Sequence, residues 1–178
     1  MKSIALVVLG STLLSLGMSA YSDSLRAAEA FIDAFYSYDQ TRLADAMSAG
    51  DEGERMLYYQ AWAEAANYKI KKRRLCTIKA DYVVCKITVT DDFGRILGYT
   101  ATDTFTLAIK EDLVVGVESQ GDDPPIFLEL FDWMAKNQPE VLAGPCADMF
   151  AGGQTPGDCA RSVVRAANQF IELRDSND

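Results

Sequence analysis

The run "GYTATDTFTLAIK", residues 98–110, alternates with the period of a β-strand. Tyr99, Ala101, Asp103, Phe105, Leu107 and Ile109 share one face, and Thr100, Thr102, Thr104 and Thr106 share the other. Asp103 is thus a carboxylate in an otherwise apolar row. Burial without a partner is costly for such a group and raises its pKa, which is what a general acid or base requires. Asp103 is the best catalytic candidate on these grounds. The competing reading is structural: Arg74, on a neighbouring part of the expected sheet, could pair with it. Asp33, Asp91 and Asp92 are weaker candidates, the first on the solvent side of a helix and the other two in a turn. Aromatic residues supply the second kind of chemistry. Tyr58, Tyr59 and Trp62 fall on one expected helix, Trp133 on a later one, and Tyr99 and Phe105 on the strand of Asp103. Where such residues line a hollow, they form an apolar pocket with polar tips, suited to a small hydrophobic or aromatic ligand. Tyr59, Trp62, Arg74, Tyr99 and Phe105 are the expected ligand-binding set.

Several mechanisms are excluded. The chain has no histidine, so neither a Ser-His-Asp nor a Cys-His relay can form, and the usual zinc hydrolase ligand sets cannot be assembled. Neither GxGxxG nor GxxxxGK[ST] occurs, which removes support for dinucleotide or P-loop phosphate binding. The acids at 91, 92, 122 and 123 do not have the spacing of a calcium loop. No metal and no cofactor is expected.

Cysteines 76 and 85 flank Ala80-Asp81. If those two residues form a hairpin loop, Lys79 faces Tyr82, Ile78 faces Val83 and Cys76 faces Cys85 at a non-hydrogen-bonded pair. There the α-carbons approach to roughly 4.5 Å, within the range a disulfide tolerates. Cys146 and Cys159 then pair across "CADMFAGGQTPGDC", a glycine-rich loop with little apolar periodicity of its own. An even cysteine count without a CxxC pair favours disulfides over zinc, and disulfides imply an oxidising compartment.

The N-terminus agrees. "MKSIALVVLGSTLLSLGMSA" places one lysine before an apolar run and then small residues, the layout of a signal peptide over residues 1–20. The run is shorter than the roughly 20 apolar residues of a membrane span. Residues 21–178 have the size of one domain, exported to the periplasm or the medium with no stable membrane insertion. The full chain carries a net charge of −9, and removal of Lys2 makes it one unit more negative. Nucleic acid, which requires neutralising cations, is not an expected partner. "KIKKRR", residues 69–74, is the exception, with five cations in six residues. It reads as a charged strand that discourages edge-to-edge pairing, or else as an anion-binding patch.

The elements that must position these residues follow from periodicity and punctuation. Helices are expected over 23–38, from Thr41 to Met47, and after an Asp51/Glu54 capping pair. Strands are expected at 68–78, 82–91, 97–110 and 113–119, with "DDFG" in the connection between the middle two. A helix capped by Asp123 and one opened by a Thr155-Pro156 capping box complete the chain. Helices segregated over one curled antiparallel sheet make an α+β fold. The threonine face of strand 97–110 is either solvated or the surface on which two sheets pair as a homodimer.

The helical start, the long strands and "VTDDFGRILGYTATDTFTL", followed by "DDPP", "FDWM" and "GPC...GGQTPGDCA", resemble exported members of the nuclear transport factor 2-like superfamily, which includes the ketosteroid isomerase and polyketide cyclase cone folds. The resemblance covers most of residues 21–178 and rests mainly on structural residues. It implies a curved sheet of about four strands wrapped on the N-terminal helices, two C-terminal helices, and a pocket at the wide end of the cone. The short strands that many members place before the third helix are not legible here. Cone-fold enzymes use pocket carboxylates for proton abstraction or water activation, a role that would fall to Asp103. The leading expectation is a non-catalytic exported domain that binds a small, partly apolar ligand or a protein partner. The alternatives are an isomerase, cyclase or hydratase with Asp103 as base, and a structural envelope interaction module.

Overall fold

The computed structural model describes residues 13–176, with side chains for 22–176. The first twelve residues of the expected signal segment lie outside the described residues. Residues 13–20 are helical backbone continuous with the first helix, α1 (Leu13–Ser37). Among the described residues no helix is long and apolar enough to cross a membrane.

The fold is α+β. Helix α1 buries Ala28, Phe31, Ile32 and Phe35 completely or nearly so, because these positions recur every three to four residues along one face. Asp39 ends the following turn by accepting the Arg42 N–H at 3.1 Å, which caps α2 (Gln40–Asp45). Helix α3 (Asp51–Ala65) starts from Gly50, whose φ of 138° favours glycine. Asp51 and Glu54 therefore lie inside the first turn, where they meet the positive end of the helix dipole, and they do not act as the expected capping pair. A single bridge between Met47 and Val114 stands before α3.

Five antiparallel strands follow: β1 (Lys69–Arg73), β2 (Thr77–Lys79), β3 (Tyr82–Thr90), β4 (Ala101–Lys110) and β5 (Leu113–Gly121). Their order is β1-β3-β4-β5, with β2 paired to the same edge of β3 as β1. The expected strand 68–78 is thus broken over residues 74–76. A bulge between Ile70 and Lys72 adds a bend to β1, and a second between Ala108 and Ile109 bends the β4–β5 ladder. The 80–81 hairpin has the expected register, Lys79 to Tyr82, Ile78 to Val83 and Thr77 to Val84. Both disulfides are present: Cys76–Cys85 with α-carbons 4.3 Å apart and Cys146–Cys159 at 4.6 Å.

Between β3 and β4 the connection is a helix, α4 (Asp92–Leu97), rather than a loop. Asp91 caps it by accepting the Gly94 N–H at 2.5 Å, and Gly98, at φ 77°, stops it. Strand β4 consequently begins at Ala101, and Tyr99 precedes it. Helix α5 (Pro125–Asn137) starts after Pro124, not under an Asp123 cap. A short α6 (Pro139–Ala143) and a 3-10 turn at Met149–Ala151 lead into α7 (Pro156–Asp175). Thr155 makes no side-chain cap there; its hydroxyl donates to the Pro145 carbonyl at 2.9 Å.

Two apolar cores result. One packs α1, α2 and part of α3 into the curve of the sheet, around Phe31, Ile32, Ile87, Phe105 and Leu107. The other packs the opposite side of α3 with α4, α5 and α7, around Trp62, Phe93, Met134, Val163 and Phe170. Helix α3 contributes to both, and the candidate site lies along the line where they meet.

Candidate functional site

A cavity of about 180 Å³ opens between the two cores. Phe35, Met56, Val89 and Phe105 reach it from the sheet-side core, and Tyr58, Trp62, Phe93 and Met149 from the helical one. Four of the five expected ligand-binding residues, Tyr59, Trp62, Tyr99 and Phe105, line it together with Asp103. Arg74 does not. It is exposed in the break between β1 and β2, with its backbone N–H directed to the Lys86 carbonyl at 3.5 Å. The bulge at Ile70–Lys72 changes which residues of this edge face α1, so Arg73 turns inward to pair with Asp33 and, at 2.6 Å, with Glu29.

Asp103 has a different partner. Tyr36, on the last turn of α1, donates its hydroxyl to Asp103 Oδ2 at 2.6 Å. Strand β4 places Asp103 opposite Ile87 on one side and Gly121 on the other. It keeps some contact with the cavity while protein surrounds it on most sides. Burial is the main reason its pKa is pushed up to about 6. The Tyr36 hydrogen bond works in the opposite direction, and the negative charges of Asp123 and Asp122 add to the rise. Tyr36 is itself driven well above its ordinary value by burial and by the adjacent Asp103 charge.

Asp91, from the sequence a turn residue and a weaker candidate than Asp103, shares this wall. It is 4% exposed and lines the same cavity. Burial pushes its carboxyl up to about 7, although the Gly94 N–H favours the ionised form and limits the rise; Asp103, Asp123 and Asp92 raise it further. Gly94 is required there, since a β-carbon would sit 2.9 Å from Asp91 Oδ1 and 3.3 Å from the Tyr99 carbonyl. The signal was legible: an aspartate three residues before Gly94 at the start of "DFGRIL" is a helix-capping pattern. Asp123, two residues beyond β5, is the third acid on the wall, and its pKa is also raised, by burial and by Asp122.

Asp92 lies outside the cavity lining and pairs with Arg95, accepting also from Asn67 Nδ2 at 3.2 Å. Asp33 is occupied by Arg73. Among the described residues no group of three or more acids or cysteines converges closely enough to hold a metal ion.

The aromatic lining is mutually braced. Trp62 meets Tyr68 and Phe93 edge-on, at centroid distances of 5.8 and 5.4 Å, and Tyr99 meets Phe127 at 6.4 Å. Tyr59 crosses to the 3-10 turn, donating its hydroxyl to the Phe150 carbonyl at 2.7 Å. Three polar atoms on lining residues have no hydrogen-bond partner: Tyr58 Oη, Trp62 Nε1 and Tyr99 Oη. Buried polar atoms are paired as a rule, and these three are exceptions to it among the described residues.

No protein-family model matches the chain, and no curated protein matches it significantly.

Proposed function

We propose that the chain is an exported, nuclear transport factor 2-like domain whose cone binds one small, partly apolar ligand without transforming it. The observation that carries this reading is a cavity between two cores whose lining is mostly aromatic and apolar and includes the carboxyl side chains of Asp91, Asp103 and Asp123. Such a lining, mostly apolar with a few convergent polar groups, is the usual composition of a ligand site. Export is supported by the paired cysteines and by the layout of residues 1–20. The superfamily assignment is supported by the antiparallel sheet with helices packed on its inner face.

Native electrospray mass spectrometry tests the reading. The oxidised wild-type chain is expected to carry a small molecule that acid denaturation releases. Ala101→Trp, which fills the cavity from its floor, is expected to lose it. Wild-type protein that carries nothing, and that takes up no single-ring compound when challenged, would overturn the reading.

One observation favours a second reading, an isomerase, cyclase or hydratase with Asp103 as base. Two wall carboxyls, Asp91 and Asp103, have pKa values raised to about 7 and about 6, the range that suits acid–base work near neutrality. Against it, Asp103 Oδ2 is already engaged by Tyr36. Among the described residues no lysine or arginine lines the cavity to stabilise a developing anion. The two readings separate at Asp103→Asn, which abolishes turnover in an enzyme and leaves retention of a neutral ligand intact in a binding protein.

A further inference from the structure

The cavity wall has a one-sided charge. Asp91 from the end of β3, Asp103 from β4 and Asp123 beyond β5 all line it, and among the described residues no lysine or arginine does. Two basic side chains beside residues of this wall are already engaged. Arg55 lies over the Tyr59 ring at 5.7 Å and is bound to Glu52, and Arg73 is held by Glu29 and Asp33. The other titratable groups around the carboxylates are two more acids, Asp92 next to Asp91 and Asp122 next to Asp123, and the tyrosines Tyr36 from α1, Tyr58 and Tyr59 from α3, Tyr68 before β1 and Tyr99 before β4. Tyr36, Tyr58, Tyr68 and Tyr99 are raised above the ordinary phenol value, mainly by burial.

We infer that this cavity selects a small organic cation, a protonated amine carried on one apolar ring, over neutral or anionic molecules of the same shape. The inference rests on the reading of the cavity as a ligand site and names the class of ligand. Two features of the wall support it. Carboxylates without protein counter-ions are matched by an ammonium group, and aromatic faces such as those of Trp62, Tyr68 and Tyr99 attract a cation further. A bare metal ion does not fit, because the acids stand around the cavity instead of converging on one point. A cavity of about 180 Å³ is slightly larger than the ~150 Å³ that accommodates benzene, which leaves room for one ring and a short arm.

Binding of a cation is linked to deprotonation of the wall. Asp91 and Asp103, raised to about 7 and about 6 by burial, are largely protonated at pH 5 and ionised at pH 8. An alkylamine stays protonated over that whole span. Affinity for the cation therefore increases with pH.

Isothermal titration calorimetry on the oxidised chain tests this with three probes sharing a hydroxyphenyl ring: tyramine (cationic), tyrosol (neutral) and 3-(4-hydroxyphenyl)propanoate (anionic). At pH 8 tyramine is expected to bind about tenfold more tightly than tyrosol, with the anion weakest. At pH 5 the advantage of tyramine is expected to shrink to about threefold or less. Asp103→Asn and Asp123→Asn are each expected to weaken tyramine several-fold more than they weaken tyrosol. Should either variant fail to fold, the pH comparison on the wild-type chain decides alone. Tyrosol binding as well as or better than tyramine at pH 8 overturns cation selection and leaves the ligand site standing. Tyramine binding that ignores pH also overturns cation selection. Failure of all three probes to bind overturns the ligand-site reading and this one with it.

Discussion

Asp103 illustrates what strand alternation reveals about a single residue and what it does not. Its place in an apolar row was legible, because alternation on a strand assigns faces without reference to anything else in the fold. Its partner was not. Tyr36 is 67 positions away on a helix, and nothing local in either segment encodes their meeting. The Arg74 pairing failed for a related reason: the bulge at Ile70–Lys72 shifts alternation by one position, so Arg73 turns toward α1 and Arg74 toward solvent. Since the Tyr36 hydroxyl stabilises the ionised form of Asp103, removing it has a definite sign. In Tyr36→Phe the Asp103 carboxyl is expected to titrate above the wild-type value of about 6, as measured by NMR of the side-chain carboxyl carbon. A downward shift would show that Tyr36 does not donate to the carboxylate.

At the scale of elements, the 76–85 hairpin was the most predictable piece, because a two-residue loop fixes the register of every pair outside it. The break in the outer strand was not, since it depends on tertiary contacts. Glu29 of α1 accepts the Cys76 N–H at 2.5 Å while also holding Arg73, and so ties the interrupted strand to the helix beneath it. Glu29→Ala leaves the Cys76 N–H without its acceptor in a partly buried position and Arg73 with Asp33 as its remaining acidic partner. A loss of about 1–3 kcal/mol is expected in urea unfolding. Helix α4 escaped notice because six residues carry too little periodicity to register. Its cap is nonetheless essential to the wall of the cavity. Gly94→Ala is expected to displace the Asp91 carboxylate and the Tyr99 backbone and to weaken tyramine binding, as read by calorimetry.

For the whole molecule, the α+β class and the order of helices and long strands followed from periodicity, but the division into two cores did not. A helix that serves both sides, as α3 does, shows only a blurred apolar stripe, and the hollow between the cores depends on how both pack. The acids on that hollow give the fold an unusual dependence on pH. Asp91 and Asp103 hold their protons more tightly folded than unfolded, so folding takes up protons between about pH 4 and pH 7. Their contribution is complete below the unfolded value and is lost as pH rises through about 6 and about 7. The expected result is a stability greater at pH 5 than at pH 8 by on the order of 3 kcal/mol, read as a higher thermal midpoint at pH 5; the reverse ordering would show that these carboxyls are not buried in solution. The second disulfide has a further consequence. Cys146 and Cys159 bracket the segment that brings Met149 and Phe150 to the cavity, and Gly153 packs so closely there that a β-carbon would lie 2.4 Å from the Ala147 carbonyl. Reduction removes the cross-link that closes this segment and leaves the Tyr59 hydroxyl on the Phe150 carbonyl to hold its tip. If the hollow takes a ligand as proposed, its occupancy is expected to fall with that cross-link, so that the guest would report on thiol oxidation.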